Sequence, residues 1–281
     1  MNGLVLEGGA MRGMFTCGVL DVFMEQNITF DGAIGVSAGA TFGCNLKSKQ
    51  IGRAIRYNLR FAKDPRYCSV RSLIKTGNLY NADFCYRELP DEIDIFDRKT
   101  FRENQLDFYC VVTDIESGKP FYYKMKDGEK EDLEWMRASA SMPLVSKPVC
   151  INGRKYLDGG ISDSIPLRYF EELGYNKNVV ILTQPKNYKK KKNALKPLIK
   201  ILFAKYPNFY ETMKNRHLMY NEQTKYVFQQ ELKGTAFVIC PEESLGISRT
   251  EHNQEELQRV YLLGRKTAET KLQQLKDFLQ N

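Results

Sequence analysis

Histidine is nearly absent from this chain of 281 residues, which carries only His217 and His252. A hydrolytic triad or a metal centre commonly leans on imidazole as base or ligand. Here His217 lies inside a predicted helix and His252 beside the start of another, and neither follows a strand, where a triad histidine would be presented. That argues against an ordinary Ser-His-Asp triad. The seven cysteines are odd in number, scattered from Cys17 to Cys240, and form no Cys-x-x-Cys. Their pattern fits reduced thiols in a cytosol better than a disulfide framework or a zinc site, and no metal is expected. No apolar run approaches the ~18–20 residues of a membrane-spanning helix. The N-terminal MNGLVLEGG enters a strand pattern with no basic n-region before it, so no secretory signal and a cytoplasmic location are expected. Long Gly/Ser or Pro-rich linkers and internal repeats are missing as well. Residues 1–281 therefore read as one domain, with a motif-bearing core about 3–185 and a helical C-terminal part about 194–281.

Acidic residues are in deficit, and the net charge is +8. Such an excess suits an anionic partner, either a membrane surface or nucleic acid. No nucleic-acid-binding motif accompanies it, so no nucleic acid is expected, and nothing in the sequence dictates an oligomeric state. The apolar share, 42%, is enough for a full core.

Strands are predicted at 3–7, 30–36, 106–115, in the PFYYKM return of a hairpin, on both sides of the Asn-Gly turn in VCINGRKYLDGG, at 178–183 and in TAFVICP. Helices are predicted after Gly13, after Ser37, over 51–63 and 129–141, over 194–230 with a break near Pro207, and over 251–280. Alternating strands and helices indicate an α/β fold with a largely parallel sheet.

Three glycine-rich stretches carry the chemistry. GVSAG at 35–39 places Ser37 between Gly35 and Gly39, straight after a strand and before a helix. It reads either as a tight turn whose serine merely caps the helix, or as a nucleophile elbow, in which a strained turn aims the hydroxyl at a helix N-terminus rich in free N–H groups. EGGAMRG at 7–13 can present backbone donors from Gly8, Gly9 and Ala10 to a developing oxyanion. A dinucleotide-binding turn fits it less well, because position 10 is Ala and no acidic residue ends the second strand. Asp158, in YLDGG before Gly159 and Gly160, ends a predicted strand. It reads either as the opener of a β-turn or as a base that takes the serine proton directly.

Taken together and in this order, EGGAMRG, GVSAG and DGG resemble the patatin-like phospholipase family, as do TDIESGKPFYY at 113–123 and ASASMP at 138–143. The resemblance covers about residues 3–185. It implies a three-layer α/β/α sandwich around a mostly parallel sheet, and hydrolysis of lipid acyl esters by a Ser-Asp dyad without metal or cofactor. Ser37 matches the nucleophile and Asp158 its proton acceptor. Gly8, Gly9, Ala10, Met11, Arg12 and Gly13 match the oxyanion-hole loop. Ala10 departs from the family, which usually has glycine there. If that position needs a positive φ, alanine costs ~1 kcal/mol or more.

The implied function is a phospholipase A-type or lysophospholipase activity. A soluble carboxylesterase or thioesterase, and a lipid-binding regulator without turnover, are the alternatives. Arg53, Arg56 and Arg60 lie at helical spacing and offer either a phosphate site or a solvated face. Met136, Met142, Tyr122 and Tyr123 suit an acyl channel or core packing. In 186–205 (KNYKKKKNALKPLIKILFAK), Leu195, Leu198, Ile199, Leu202 and Phe203 form one apolar helical stripe beside lysines. That pattern fits peripheral docking on an anionic membrane or a helix packed on the domain.

Overall fold

A computed structural model describes residues 1–192 and 196–280. The chain opens with β1 (Asn2–Leu6), a 3₁₀ turn (Ala10–Gly13), α1 (Met14–Glu25), β2 (Gly32–Val36), α2 (Ala38–Lys47) and α3 (Arg53–Phe61). Next come α4 (Val70–Thr76), a π-helical segment (Phe84–Ile93) and α5 (Arg98–Glu103). The middle of the chain holds β3 (Asp107–Asp114), β4 (Pro120–Lys124), α6 (Lys130–Ser139), β5 (Val149–Ile151), β6 (Arg154–Asp158), a 3₁₀ turn (Gly159–Ile161), α7 (Leu167–Glu172) and β7 (Lys177–Ile181). It closes with α8 (Lys196–Leu202), α9 (Pro207–Leu232), β8 (Ala236–Ile239) and α10 (Gln254–Gln280).

The sheet runs β5-β6-β3-β2-β1-β7-β8, with β4 also paired to β3. The five strands from β3 to β8 are parallel to their neighbours, whereas β4, β5 and β6 pair antiparallel at one edge. Alternation along β1 explains the layers. Leu4 and Leu6 join one fully buried core with α1, α2 and α10, and Val5 joins the opposite core with α7 and α9. A sheet covered on both faces needs strands apolar on both sides, which is how GLVL and AIGV read. The result is the expected α/β/α sandwich.

β3 brings the ends of two other strands together. β2 ends with Val36 opposite Val111, and β6 ends with Asp158 opposite Val112. β4 pairs with β3 over 109–113, a span that overlaps the β3 partners of both β2 and β6. β2 and β6 therefore occupy the same edge of β3, end to end, with their termini meeting there. The close of the chain is tied to its start. Ideal Cβ atoms on Gly18 of α1 and Gly264 of α10 would lie 2.1 Å from the Tyr261 carbonyl oxygen and 2.0 Å from that of Phe15, so these helices touch backbone to backbone.

Candidate active site

Where β2 ends, the chain turns sharply at Ser37, whose φ of 55° and ψ of −120° are strained for a residue with a Cβ. A Cβ on Gly35 would lie 2.4 Å from the Gly39 carbonyl oxygen, and one on Gly39 2.4 Å from that of Leu6, so only glycine fits on either side. The Ser37 hydroxyl makes no capping hydrogen bond to α2. Instead the Ser37 backbone N–H donates to Ser139 Oγ at 2.9 Å, and that hydroxyl donates to the Val111 carbonyl at 2.6 Å. Ser139, fully buried at the end of α6, thus bridges the β3 carbonyl at the β2–β6 junction to the turn.

Asp158 arrives from the other side of the same gap. Its N–H donates to the Ser141 carbonyl at 2.8 Å, its own carbonyl accepts from Thr113 Oγ1 at 2.8 Å, and its Oδ1 accepts from the Gly160 N–H at 2.8 Å. Burial pushes its carboxyl above the ordinary range, while Arg216, the Ser37 hydroxyl and the Gly160 amide draw it partly back. Ser37 and Asp158 line one basic cleft.

Gly8, Gly9 and Ala10 form another wall of this cleft. The N–H groups of Gly8 and Gly9 have no protein acceptor among the described residues. The buried Glu7 carboxylate anchors the loop, accepting from Thr183 N at 2.6 Å and Tyr220 OH at 2.7 Å. Ala10 has φ of 50°, so the alanine does occupy a left-handed position. Met11 N donates to the Arg249 carbonyl at 3.4 Å. Arg12 has a buried Nε with no partner.

A second, apolar cleft of about 1030 Å³, its open mouth included, begins at the same serine. Phe42, Tyr57, Tyr67, Leu89, Leu133 and Met136 line it, and Ala10, Ser37 and Met142 belong to both clefts. Met136 and Met142 thus stand where an acyl channel would place them. Tyr122 and Tyr123 do not. Tyr122 stacks on Tyr169 and bonds to Asp163, and Tyr123 stacks on Trp135 and bonds to Asp132.

The arginine stripe on α3 is occupied elsewhere. Arg53, buried between Tyr57 and Phe96, donates to the Asp94 carbonyl, and Arg56 pairs with the Asp94 carboxylate at 2.7 Å. Two of the three therefore hold a loop, and a phosphate site on this stripe does not fit. His217 is buried on α9 with both ring nitrogens unpartnered, and His252 bonds the Ala62 carbonyl through Nδ1 at 2.6 Å. Neither histidine lines either cleft.

Several site residues carry little or no signal of their own in the sequence. Lys190 is hidden in a lysine run, Arg216 and Arg249 belong to no motif, and Ser139 is one small residue within ASASMP. Only three-dimensional placement distinguishes them.

The patatin-like phospholipase family model matches residues 4–171, and a domain of unknown function, DUF6363, matches 206–280. The Escherichia coli K12 protein YjjU, described as uncharacterized, is 32% identical over 192 residues, covering 65% of this chain and 52% of its own length. Lysophospholipase nte1 of Aspergillus fumigatus is 29% identical over 188 residues, covering 61% of this chain but 11% of the relative. The chain thus spans about half, or far less, of the curated relatives it matches. Among solved structures, VipD from Legionella pneumophila aligns over 97% of this chain and 67% of its own, with TM-score 0.47 and 13% identity. The first of these matches takes in the glycine loop, the serine turn and the DGG turn that meet at the end of β2, and it spans more than half of the residues: the chain belongs to the patatin-like phospholipases.

Proposed function

We propose that this protein is a lipid acyl hydrolase of phospholipase A or lysophospholipase type, working through a Ser37–Asp158 dyad. The observation that carries the reading is the meeting at one point of a strained serine, a buried carboxylate and an apolar cleft. Ser37 Oγ attacks the ester carbonyl while Asp158 takes its proton. The Gly8–Ala10 amides hold the oxyanion, and Asp158 returns the proton to the departing alcohol. Water activated by the same carboxylate then releases the fatty acid. A raised pKa makes the carboxylate a better base than a solvated one.

Ser37→Ala should lower ester hydrolysis by about a thousandfold or more and abolish labelling by a fluorophosphonate probe. Asp158→Asn should also be inactive, whereas His217→Gln combined with His252→Gln should retain most activity. A folded but inactive double-histidine variant, or labelling that survives Ser37→Ala, would refute the dyad. No described helix is long and apolar enough to cross a membrane. The reading includes peripheral docking on anionic bilayers through the segment 186–205, supported by its exposed lysines and leucines.

A further inference from the structure

We infer that Arg12, Lys190, Arg216 and Arg249 form the subsite that binds a phosphate group on the alcohol side of the scissile ester. This rests on the proposed role of Ser37. The four cations line the same cleft as Ser37 and Asp158. They come from four separate places: the glycine loop, the segment after β7, α9, and the segment before α10. None of them forms a salt bridge with a carboxylate among the described residues, whereas Arg53 and Arg56 share Asp94. Of the two carboxylates in the cleft, Glu7 accepts from Thr183 and Tyr220, and Asp158, which lies near Arg216, accepts from the Gly160 amide.

Lys190 shows that this convergence is built. Its neighbours Lys189, Lys191 and Lys192 are exposed, but Lys190 turns inward. Asn221 clamps its backbone from both sides, accepting from Lys190 N at 2.8 Å and donating to Lys190 O at 3.1 Å. The ammonium sits 4.0 Å from the Tyr220 ring centroid. Arg216 Nε donates to the Gly160 carbonyl at 2.5 Å, next to the carboxylate. Burial and mutual repulsion push Lys190 down to about 7 and also lower Arg12 and Arg216. A concave site holding repelling cations favours a multiply charged anion, which offsets their repulsion. The oxyanion itself carries one charge and already has backbone amides to hold it.

The layout of the two clefts assigns the phosphate to a substrate arm. They share Ser37, Ala10 and Met142, so one ester spans both, with its acyl chain among aromatic and aliphatic side chains and its alcohol among the cations. The basic cleft, about 460 Å³ with its mouth, has room for a glycerol phosphate.

The test uses two soluble esters that differ only in the phosphate, 1-hexanoylglycerol 3-phosphate and 1-hexanoylglycerol. The wild type should prefer the first in kcat/KM. Lys190→Gln and Arg249→Gln should each lower that preference about tenfold or more, the scale of a hydrogen bond to a charged group. Lys191→Gln, whose side chain is exposed, should keep the wild-type preference. Glycerol 3-phosphate should inhibit hydrolysis of the neutral ester more strongly than inorganic phosphate does, and both should weaken in Lys190→Gln. Equal turnover of the two esters by the wild type, or a preference unmoved by the substitutions, would overturn the subsite. Inorganic phosphate binding more tightly than glycerol 3-phosphate would assign the cations to a free ion and overturn it too. If neither ester is hydrolysed, the reading of Ser37 fails separately. Calorimetric binding of glycerol 3-phosphate to wild type and Lys190→Gln then decides the subsite alone, and equal or absent binding refutes it.

Discussion

On the proposed dyad, Asp158 concentrates the chemistry of the site in one ionisation. Its carboxyl is raised by burial and lowered in part by Arg216. A base must be ionised, so the rate should fall as pH drops through this raised value, giving an acid limb above the ordinary carboxylate range. Arg216→Gln removes a cation that favours the charged form, so the limb should move to still higher pH, which a kcat/KM profile on 1-hexanoylglycerol will show. A limb that stays in place or moves down would mean that Arg216 does not act on the base. For stability the sign is opposite. A folded pKa above the unfolded one means the folded state holds its proton longer, and stability is lost as pH rises from the ordinary carboxylate range through the raised value. Asp158→Asn should therefore be inactive but no less stable than wild type at neutral pH. At this scale the sequence was legible wherever glycines mark a turn. Ser37, Asp158, Gly8, Gly9, Ala10 and Arg12 all line the basic cleft, and Ala10 has the positive φ its departure from the family pattern raised as a question. The cations were illegible, because a lysine in KKKK carries no sign of which way it will turn.

Among the elements, α1 and α10 matter most to the site, because α1 continues directly from the glycine loop. A methyl group at Gly264 would meet the Phe15 carbonyl oxygen 2.0 Å away, which backbone cannot yield without moving the helix. Gly264→Ala should cost about 1–3 kcal/mol by overpacking, read as a lower melting temperature, while Lys266→Ala on the exposed side should stay within about 0.5 kcal/mol. An unchanged melting temperature in Gly264→Ala would mean that the two helices do not meet so closely. Most strands and long helices were legible, because runs such as VVIL and the periodic pattern of 251–280 have one reading each. The break at Pro207 also falls where expected, as the first turn of α9. The helices α4, α5 and α7 are short, with one or two buried residues each, so they leave no stripe to read. The π-helical segment holds Pro90, which reads as a helix breaker, yet Cys85, Tyr86, Leu89 and Pro90 line the apolar cleft. The antiparallel course of β6 follows from its hairpin with β5, but its pairing with β3 is a long-range fact that no local pattern carries.

For the molecule as a whole, the excess positive charge divides between inside and outside. Lys190 faces the cleft, and Lys189, Lys191, Lys192, Lys200 and Lys205 face solvent. The stripe expected on α8 splits in two. Ile199 is buried and Phe203 half-buried against Phe209, while Leu198, Ile201 and Leu202 point outward with 46%, 73% and 57% of their surface exposed, and Leu195 lies outside the described residues. Exposed leucine and isoleucine beside lysines match an interfacial helix, in which apolar area and charge add. Co-sedimentation with anionic vesicles should weaken with salt, with Ile201→Ser plus Leu202→Ser, and with Lys189, Lys191 and Lys192 all changed to Gln. Binding equal to wild type in both variants at low salt would leave the segment as surface alone.

The end-to-end meeting of β2 and β6 on one edge of β3 has a bearing on when the protein can act. A chain still emerging from the ribosome can complete the serine turn once β3 is in place, yet it owns no proton acceptor until residue 158 docks. A slip of β6 by one residue would turn Asp158 to the other face of the sheet. On the proposed mechanism, unfinished or mispaired chains are therefore inert toward the membranes around them. On that mechanism the proposed lipolysis waits for β6 to dock in register.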